Sequence, residues 1–138
     1  MSSSDEVRLA VPAMPEYLRL ARVTAAGLAS RLGFSFDEVE DLRLAIDELC
    51  YGLTGTHGRP GTVEISYRAG DGGLVIEGDG RFDGAAPAGA PLSELSQVIL
   101  AALVDEHDLS AGEGGPHFRL VKRRRAAGAP PGDDDGGR

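Results

Sequence analysis

Residues 35–53 read SFDEVEDLRLAIDELCYGL, and this stretch decides the fold. Val39, Leu42, Ala45, Ile46, Leu49 and Leu53 recur every three or four positions. They make one apolar stripe on a helix, and such a stripe demands a surface to cover it. Ser35 is placed to cap the first turn, with Glu38 three residues later as in a capping box. Phe34 and Val39 are placed to form a hydrophobic staple over the same end, and Gly52 and Gly55 bring the helix to its stop.

Upstream, Leu18, Ala21, Ala25, Leu28 and Leu32 give a second helical stripe, with Pro15 in its first turn and Gly33 as its stop. Before it, Val7, Leu9 and Val11 alternate with Arg8 and Ala10, the period of a strand, which Pro12 ends. Downstream, residues 56–61 (THGRPG) read as a loop, and Val63, Ile65 and Tyr67 alternate as a strand. The turn Gly70-Asp71-Gly72-Gly73 folds the chain back into a second strand through Leu74–Ile76. Residues 78–91, rich in Gly, Ala, Pro and Asp, read as a loop.

Leu92–Val104 reads as a third helix, with Ser93 as a possible cap and Leu92, Leu95, Ile99, Ala102 and Leu103 on its apolar side. Asp108–Pro116 reads as a glycine-rich connection, and Phe118, Leu120 and Lys122 as a last strand. The order β-α-α-β-β-α-β predicts an α/β two-layer sandwich. Its sheet is mostly antiparallel and is covered on one face by three helices. Residues 6–125 form one domain in this reading, with disordered ends at 1–5 and 126–138.

A chain of 138 residues with 41% hydrophobic and 26% charged residues suits one globular domain. With only 5% aromatics and no Trp, the core must come from Leu, Val, Ile and Ala. The net charge of −8 opposes phosphate backbones, so direct nucleic-acid binding is not expected. That charge suits a basic partner, although it also serves plain solubility. No apolar run approaches the roughly 20 residues that span a bilayer. The N-terminus lacks the basic-then-apolar pattern of a signal peptide, so a cytoplasmic protein with no membrane partner is expected.

Cys50, the single cysteine, excludes an internal disulfide. Cys50 and His57 alone make a poor metal set, and Cys50 reads as a small buried hydrophobe, so no metal site is expected. His107 and His117 are expected at the surface, in or near turns. The run Lys122-Arg123-Arg124-Arg125 reads as an exposed terminus rather than a nucleic-acid patch.

Asp41-Leu42-Arg43-Leu44-Ala45-Ile46-Asp47-Glu48-Leu49-Cys50 resembles the segment that opens the ATP site in anti-sigma factors of the switch-protein serine-kinase family. That family lies in the GHKL superfamily, with the Bergerat fold. Leu20-Ala21-Arg22-Val23-Thr24-Ala25-Ala26 is similar to the family's first helix. Ala102–Glu106, the glycine turn and Phe118–Arg123 resemble its ending. The resemblance implies a protein that sequesters an alternative, stress- or development-type sigma factor, is released by an anti-anti-sigma protein, and is commonly a homodimer. It also implies that Arg22 contacts both partners, although a helix-surface arginine would look the same.

The kinase chemistry of such a site needs a carboxylate base, an oxygen ligand for Mg2+ and glycine-rich backbone near the phosphates. Glu48 matches the family's catalytic glutamate, though a solvated helix glutamate would also read so. The family's Asn one turn later is here Gly52, which has no side chain to offer a metal. Its Asp-x-Gly-x-Gly box falls on Glu77-Gly78-Asp79-Gly80-Arg81-Phe82-Asp83. With Gly80 as the first glycine, Gly78 takes the adenine-reading position and Phe82 that of the second glycine. A shifted alignment brings Glu77 or Asp79 near adenine but misplaces the glycines. The last glycine box is replaced by Ser93-Glu94-Leu95-Ser96, whose carboxylate would oppose phosphate. The expectation is therefore a degenerate nucleotide site, with no cofactor and no efficient kinase activity. An active ATP- and Mg2+-dependent serine kinase acting on the anti-anti-sigma protein is the alternative.

Overall fold

The computed structural model describes residues 6–55, 57–70, 72–83, 92–112 and 115–125. The expected disordered ends, 1–5 and 126–138, and residues 84–91 of the expected 78–91 loop lie outside these residues, whereas residues 78–82 of that expected loop are strand, paired to the strand before them. The elements in chain order are β1 (Glu6–Pro12), α1 (Pro15–Arg31), α2 (Phe36–Thr54), β2 (Gly61–Gly70), β3 (Gly73–Phe82), α3 (Glu94–Leu103), β4 (Glu106–Gly112) and β5 (Gly115–Arg123). The five strands lie in the order β1-β2-β3-β5-β4, with every neighbouring pair antiparallel. The three helices cover one face, so the expected α/β two-layer architecture is borne out.

The helix ends follow from local chemistry. Ser35 Oγ accepts from the Glu38 N–H at 3.1 Å and Glu38 Oε1 from the Ser35 N–H at 2.7 Å, which completes the capping box. Phe34 and Val39 are both buried at this end. Gly33 and Gly55 take φ of 88° and 82° just beyond α1 and α2, a conformation that side chains with a Cβ resist. Gly52 does not end α2. It lies inside the last turns, two residues before Thr54.

The core lies between the layers. Leu42, Ile46 and Leu49 of α2 are fully buried against Val63, Ile65, Ile76 and Leu120 of the sheet. Each such side chain contributes about 1.5–3 kcal/mol by leaving water. Ala21, Ala25 and Ala29 keep the buried side of α1 thin, and Tyr67 Oη reaches through to donate to the Ala21 carbonyl at 2.9 Å.

Three expectations change. Asp108–Pro116 is not a plain connection, because β4 and β5 form a hairpin there with Gly112 opposite Gly115. The apolar side of α3 is only partly the expected one: Leu92 and Leu103 pack partly buried against the core, but Leu95, Ile99 and Ala102 are exposed, and the one buried residue of the helix is Leu100. The basic run is not a free terminus. Lys122 Nζ donates to the Leu103 carbonyl at 2.7 Å, and the Arg124 guanidinium to the Leu32 carbonyl at 2.7 Å. The Arg125 N–H donates to Glu38 Oε2 at 3.0 Å, so the run fastens the last strand to the ends of all three helices.

Candidate functional site

Glu48 and Gly52 stand one turn apart on the side of α2 that meets α3. Glu48 is half-buried, and its Oε2 accepts a hydrogen bond from Ser96 Oγ at 2.6 Å. Ser96 itself sits on the first turn of α3, which Ser93 caps through the Ser96 N–H at 3.0 Å. The carboxylate is therefore neither a free base nor a solvated helix residue; it ties α2 to α3.

A turn along, Gly52 is walled by leucines. A Cβ built there would lie 2.9 Å from Cδ2 of Leu109 and 3.4 Å from Cδ2 of Leu92. Leu109 was not foreseeable from periodicity, because β4 is a strand with little apolar alternation. The glycines of β3 are covered in the same way. A Cβ on Gly80 would meet the Phe82 ring at 2.5 Å and Leu53 Cδ2 at 3.2 Å, and one on Gly78 would strike the buried Phe118 ring. The Arg59 guanidinium stacks on Phe82, 4.1 Å from the ring centroid, and holds that ring in place.

The structure thus brings Glu48, Gly52, Gly80 and Ser96 to one side of the sheet, facing the helices, with Gly78 behind them in the core. It does not bring Asp79 there. Glu77 and Asp79 alternate with these glycines and point to the opposite face of the sheet. There the Asp79 carboxylate is 2.7 Å from His117 Nδ1, and Glu77 pairs with Arg68. The shifted alignment, which needs one of these two carboxylates near adenine, has no support in this geometry. His117 lies within β5 and not in a turn. Among the described residues, no three His, Cys, Asp or Glu side chains are grouped to hold a metal ion.

Arg22 marks a second place. Its guanidinium pairs with Asp47 at 3.2 Å, and its Nε is buried with no hydrogen-bond partner among the described residues. Burial raises the Asp47 carboxyl above its ordinary range, against the lowering effect of Arg22 and then Arg43. Between α1 and α2 these residues line a cavity of about 450 Å³, together with Pro15, Arg19, Cys50 and Tyr51. Cys50 is fully enclosed, and burial pushes its thiol up to about 12, with the nearby Asp47 charge adding to the effect. It is a packing residue and not a nucleophile. Around the cavity α1 exposes Tyr17, Leu20 and Val23, and α2 exposes Leu44 and Tyr51. The outer face of the sheet is different in kind, because ion pairs such as Arg68–Glu77 and Arg119–Glu106 lace it from strand to strand.

Comparison with known proteins agrees with the resemblance seen in the sequence. Residues 11–122 match the family model of the histidine kinase-like ATPase domain. The serine-protein kinase RsbW of Bacillus subtilis (strain 168) is 45% identical over 49 residues, covering 36% of this chain and 31% of that protein. RsbW of Bacillus pumilus is 28% identical over 131 residues, covering 80% of this chain and 81% of that protein. RsbW of Bacillus licheniformis is 36% identical over 113 residues, covering 82% of this chain but 59% of that protein. The match to the Bacillus subtilis relative thus spans about a third of its length. Among solved structures, the RsbU and RsbW domains of Rv1364c from Mycobacterium tuberculosis share the fold, with a TM-score of 0.66 at 18% identity. That match covers 87% of this chain and 32% of the other. Among the described residues, no helix is long and apolar enough to cross a membrane.

Proposed function

Because the chain belongs to the histidine kinase-like ATPase domain family, we propose that it is an anti-sigma factor that works by binding, without efficient phosphoryl transfer. It sequesters an alternative sigma factor of the stress or development type in the cytoplasm, and an anti-anti-sigma protein displaces that factor. A homodimer is the expected form, and neither nucleic acid nor membrane is a partner.

The observation that carries binding without catalysis is the neighbourhood of Gly52. A kinase needs an oxygen ligand for Mg2+ there, but the position has no side chain and its surroundings are Leu92 and Leu109. The residues present do not fit Mg·ATP. Phe82 covers the glycine backbone that would approach phosphate, and Ser96 occupies the carboxylate that would take a hydroxyl proton. What remains is a surface for proteins. The exposed apolar side chains of α1 and α2, with Arg22 and its half-compensated guanidinium at the centre, support a docking face. The kinase reading is favoured by one observation, the retained Glu48 in a chain related to proteins named as kinases.

Calorimetric titration with Mg·ATP separates the two. The expected result is no heat up to high micromolar ATP and no labelled phosphate on the anti-anti-sigma protein. Micromolar binding that disappears in Glu48→Ala would put the kinase first. Arg22→Ala is expected to weaken both protein partners, and unchanged affinity for both would remove Arg22 from the docking face.

A further inference from the structure

Helix α3 is apolar in composition yet only Leu100 of it is buried. Leu95 and Val98 are 69% and 67% exposed, and Ile99 is 37% exposed beside them. These three sit at the i, i+3, i+4 spacing of one face, so they form a stripe and not scattered residues. An apolar stripe of this kind is a docking surface unless the chain covers it itself. Residues 84–91 read GAAPAGAP and 126–138 read AAGAPPGDDDGGR, with no apolar side chain larger than proline.

The charge around the stripe says what does cover it. From Phe82 to Phe118 the chain has no Lys or Arg, while Glu94 opens α3 and Asp105 follows it. On α2, Arg43 is the one basic residue among Asp37, Glu38, Glu40, Asp41, Asp47 and Glu48. Helix α1 is the reverse, with Arg19, Arg22 and Arg31 against Glu16. The helical layer therefore offers a basic face at α1 and an apolar face at α3 with acid at its N-terminal half, from Glu94 and Glu48, while Lys122 sits at the other end on the Leu103 carbonyl and pairs with Asp41. We propose that the α3 face, centred on Leu95, Val98 and Ile99, docks an amphipathic helix of a protein partner whose apolar stripe is flanked by Lys and Arg. On the anti-sigma reading, that helix belongs to the sigma factor. A second copy of this chain is the other occupant, and the test separates it.

The test uses the full chain and a labelled helical peptide of about five turns. Its Leu residues stand at i, i+3, i+4 and i+7 between Lys-rich flanks, and a twin carries Glu in place of Lys. Fluorescence anisotropy is expected to show saturable binding of the Lys peptide, weakening with salt, and none of the Glu twin. Leu95→Glu with Val98→Glu, both at exposed positions, should reduce that binding by about tenfold or more with an unchanged melting temperature. Thr62→Glu, at an exposed position of β2 outside both helical faces, should leave it intact. Equal binding of the two peptides, no binding of either, or loss through Thr62→Glu overturns the proposal. So does a wild-type dimer that the α3 double variant converts to monomer, because the occupant would then be a second copy. Wild-type binding of the Lys peptide without binding of any sigma factor would refute the anti-sigma reading and leave the α3 face standing.

Discussion

Gly78→Ala tests the packing that closes the centre of the sheet. Gly78 stands in β3 between Ile65 of β2 and Phe118 of β5, its direct neighbours in the ladder. A Cβ there would lie 2.7 Å from Cζ and 2.9 Å from Cδ2 of Phe118. Carbon atoms settle at about 3.5–4.0 Å, so the ring has to retreat by about 1 Å. Phe118 is fully buried, and an interior packed like a crystal leaves little room for that retreat. Overpacking of this kind costs about 1–3 kcal/mol. Restricting the unfolded chain by replacing glycine returns about 0.4–1 kcal/mol. The net expectation is a loss of about 1–2 kcal/mol, read as a melting temperature lower by about 4–8 °C. Urea unfolding should show a lower midpoint with the same slope. If ring crowding is the cause, Phe118→Leu should cost less in the Gly78→Ala background than in the wild type, with a coupling of about 0.5 kcal/mol or more. An unchanged or raised melting temperature, or strict additivity of the two substitutions, would refute the reasoning.

Gly52→Ala has the opposite expected sign. Glycine inside a helix costs about 1 kcal/mol relative to alanine, and the obstructing Leu109 Cδ2 is the far end of a half-buried, flexible side chain. The melting temperature should rise by a few degrees, and a fall would mean that Leu109 cannot yield. Glu38→Gln addresses pH. Burial works against this carboxylate, but the N–H groups of Ser35 and Arg125 hold its pKa below the ordinary 4.5. The folded value is the lower one, so its stabilisation is present above about pH 4.5 and is lost as the pH falls through the folded value. The variant should be less stable at neutral pH and converge with the wild type in acid, and a gap that stays constant with pH would assign the effect to something other than the charge.

Much of the fold was legible because its signals are local. The α2 stripe, the Ser35–Glu38 capping box and the Gly70–Gly73 turn each depend on residues a few positions apart, and the structure forms all three. β4 was not legible in the same way. Its inward positions are His107 and Leu109, and one leucine beside one histidine is too weak an alternation to mark a strand. It is held by pairing with β5, a tertiary fact. The basic run at 122–125 failed for a related reason. Its charge predicts solvent, but the carbonyls of Leu103 and Leu32 at the helix ends supply long-range acceptors that composition does not reveal. For α3 the sequence identified the helix, but periodicity could not say which of two apolar sides faces inward when both Leu100 and the Leu95–Ile99 side are available.

The lack of a side chain at position 52 was readable from one residue, but what fills the space was not. Absence of a side chain could have left an open cleft. Instead Leu92 approaches from the start of α3 and Leu109 from β4, and both reach α2 because glycine lets them. Glycine at this point weakens α2 by its flexibility, and the close approach of two leucines offsets that weakness through burial. Phe82 does the same over Gly80, and Ser96 engages Glu48. At each of these positions the chain's own elements make the contact. The result ties α3 to α2 at the Glu48–Ser96 hydrogen bond and leaves the Leu95 side of α3 facing solvent. A helix held in place by the chain's own contacts, with its apolar side outward, is suited to recognising another protein.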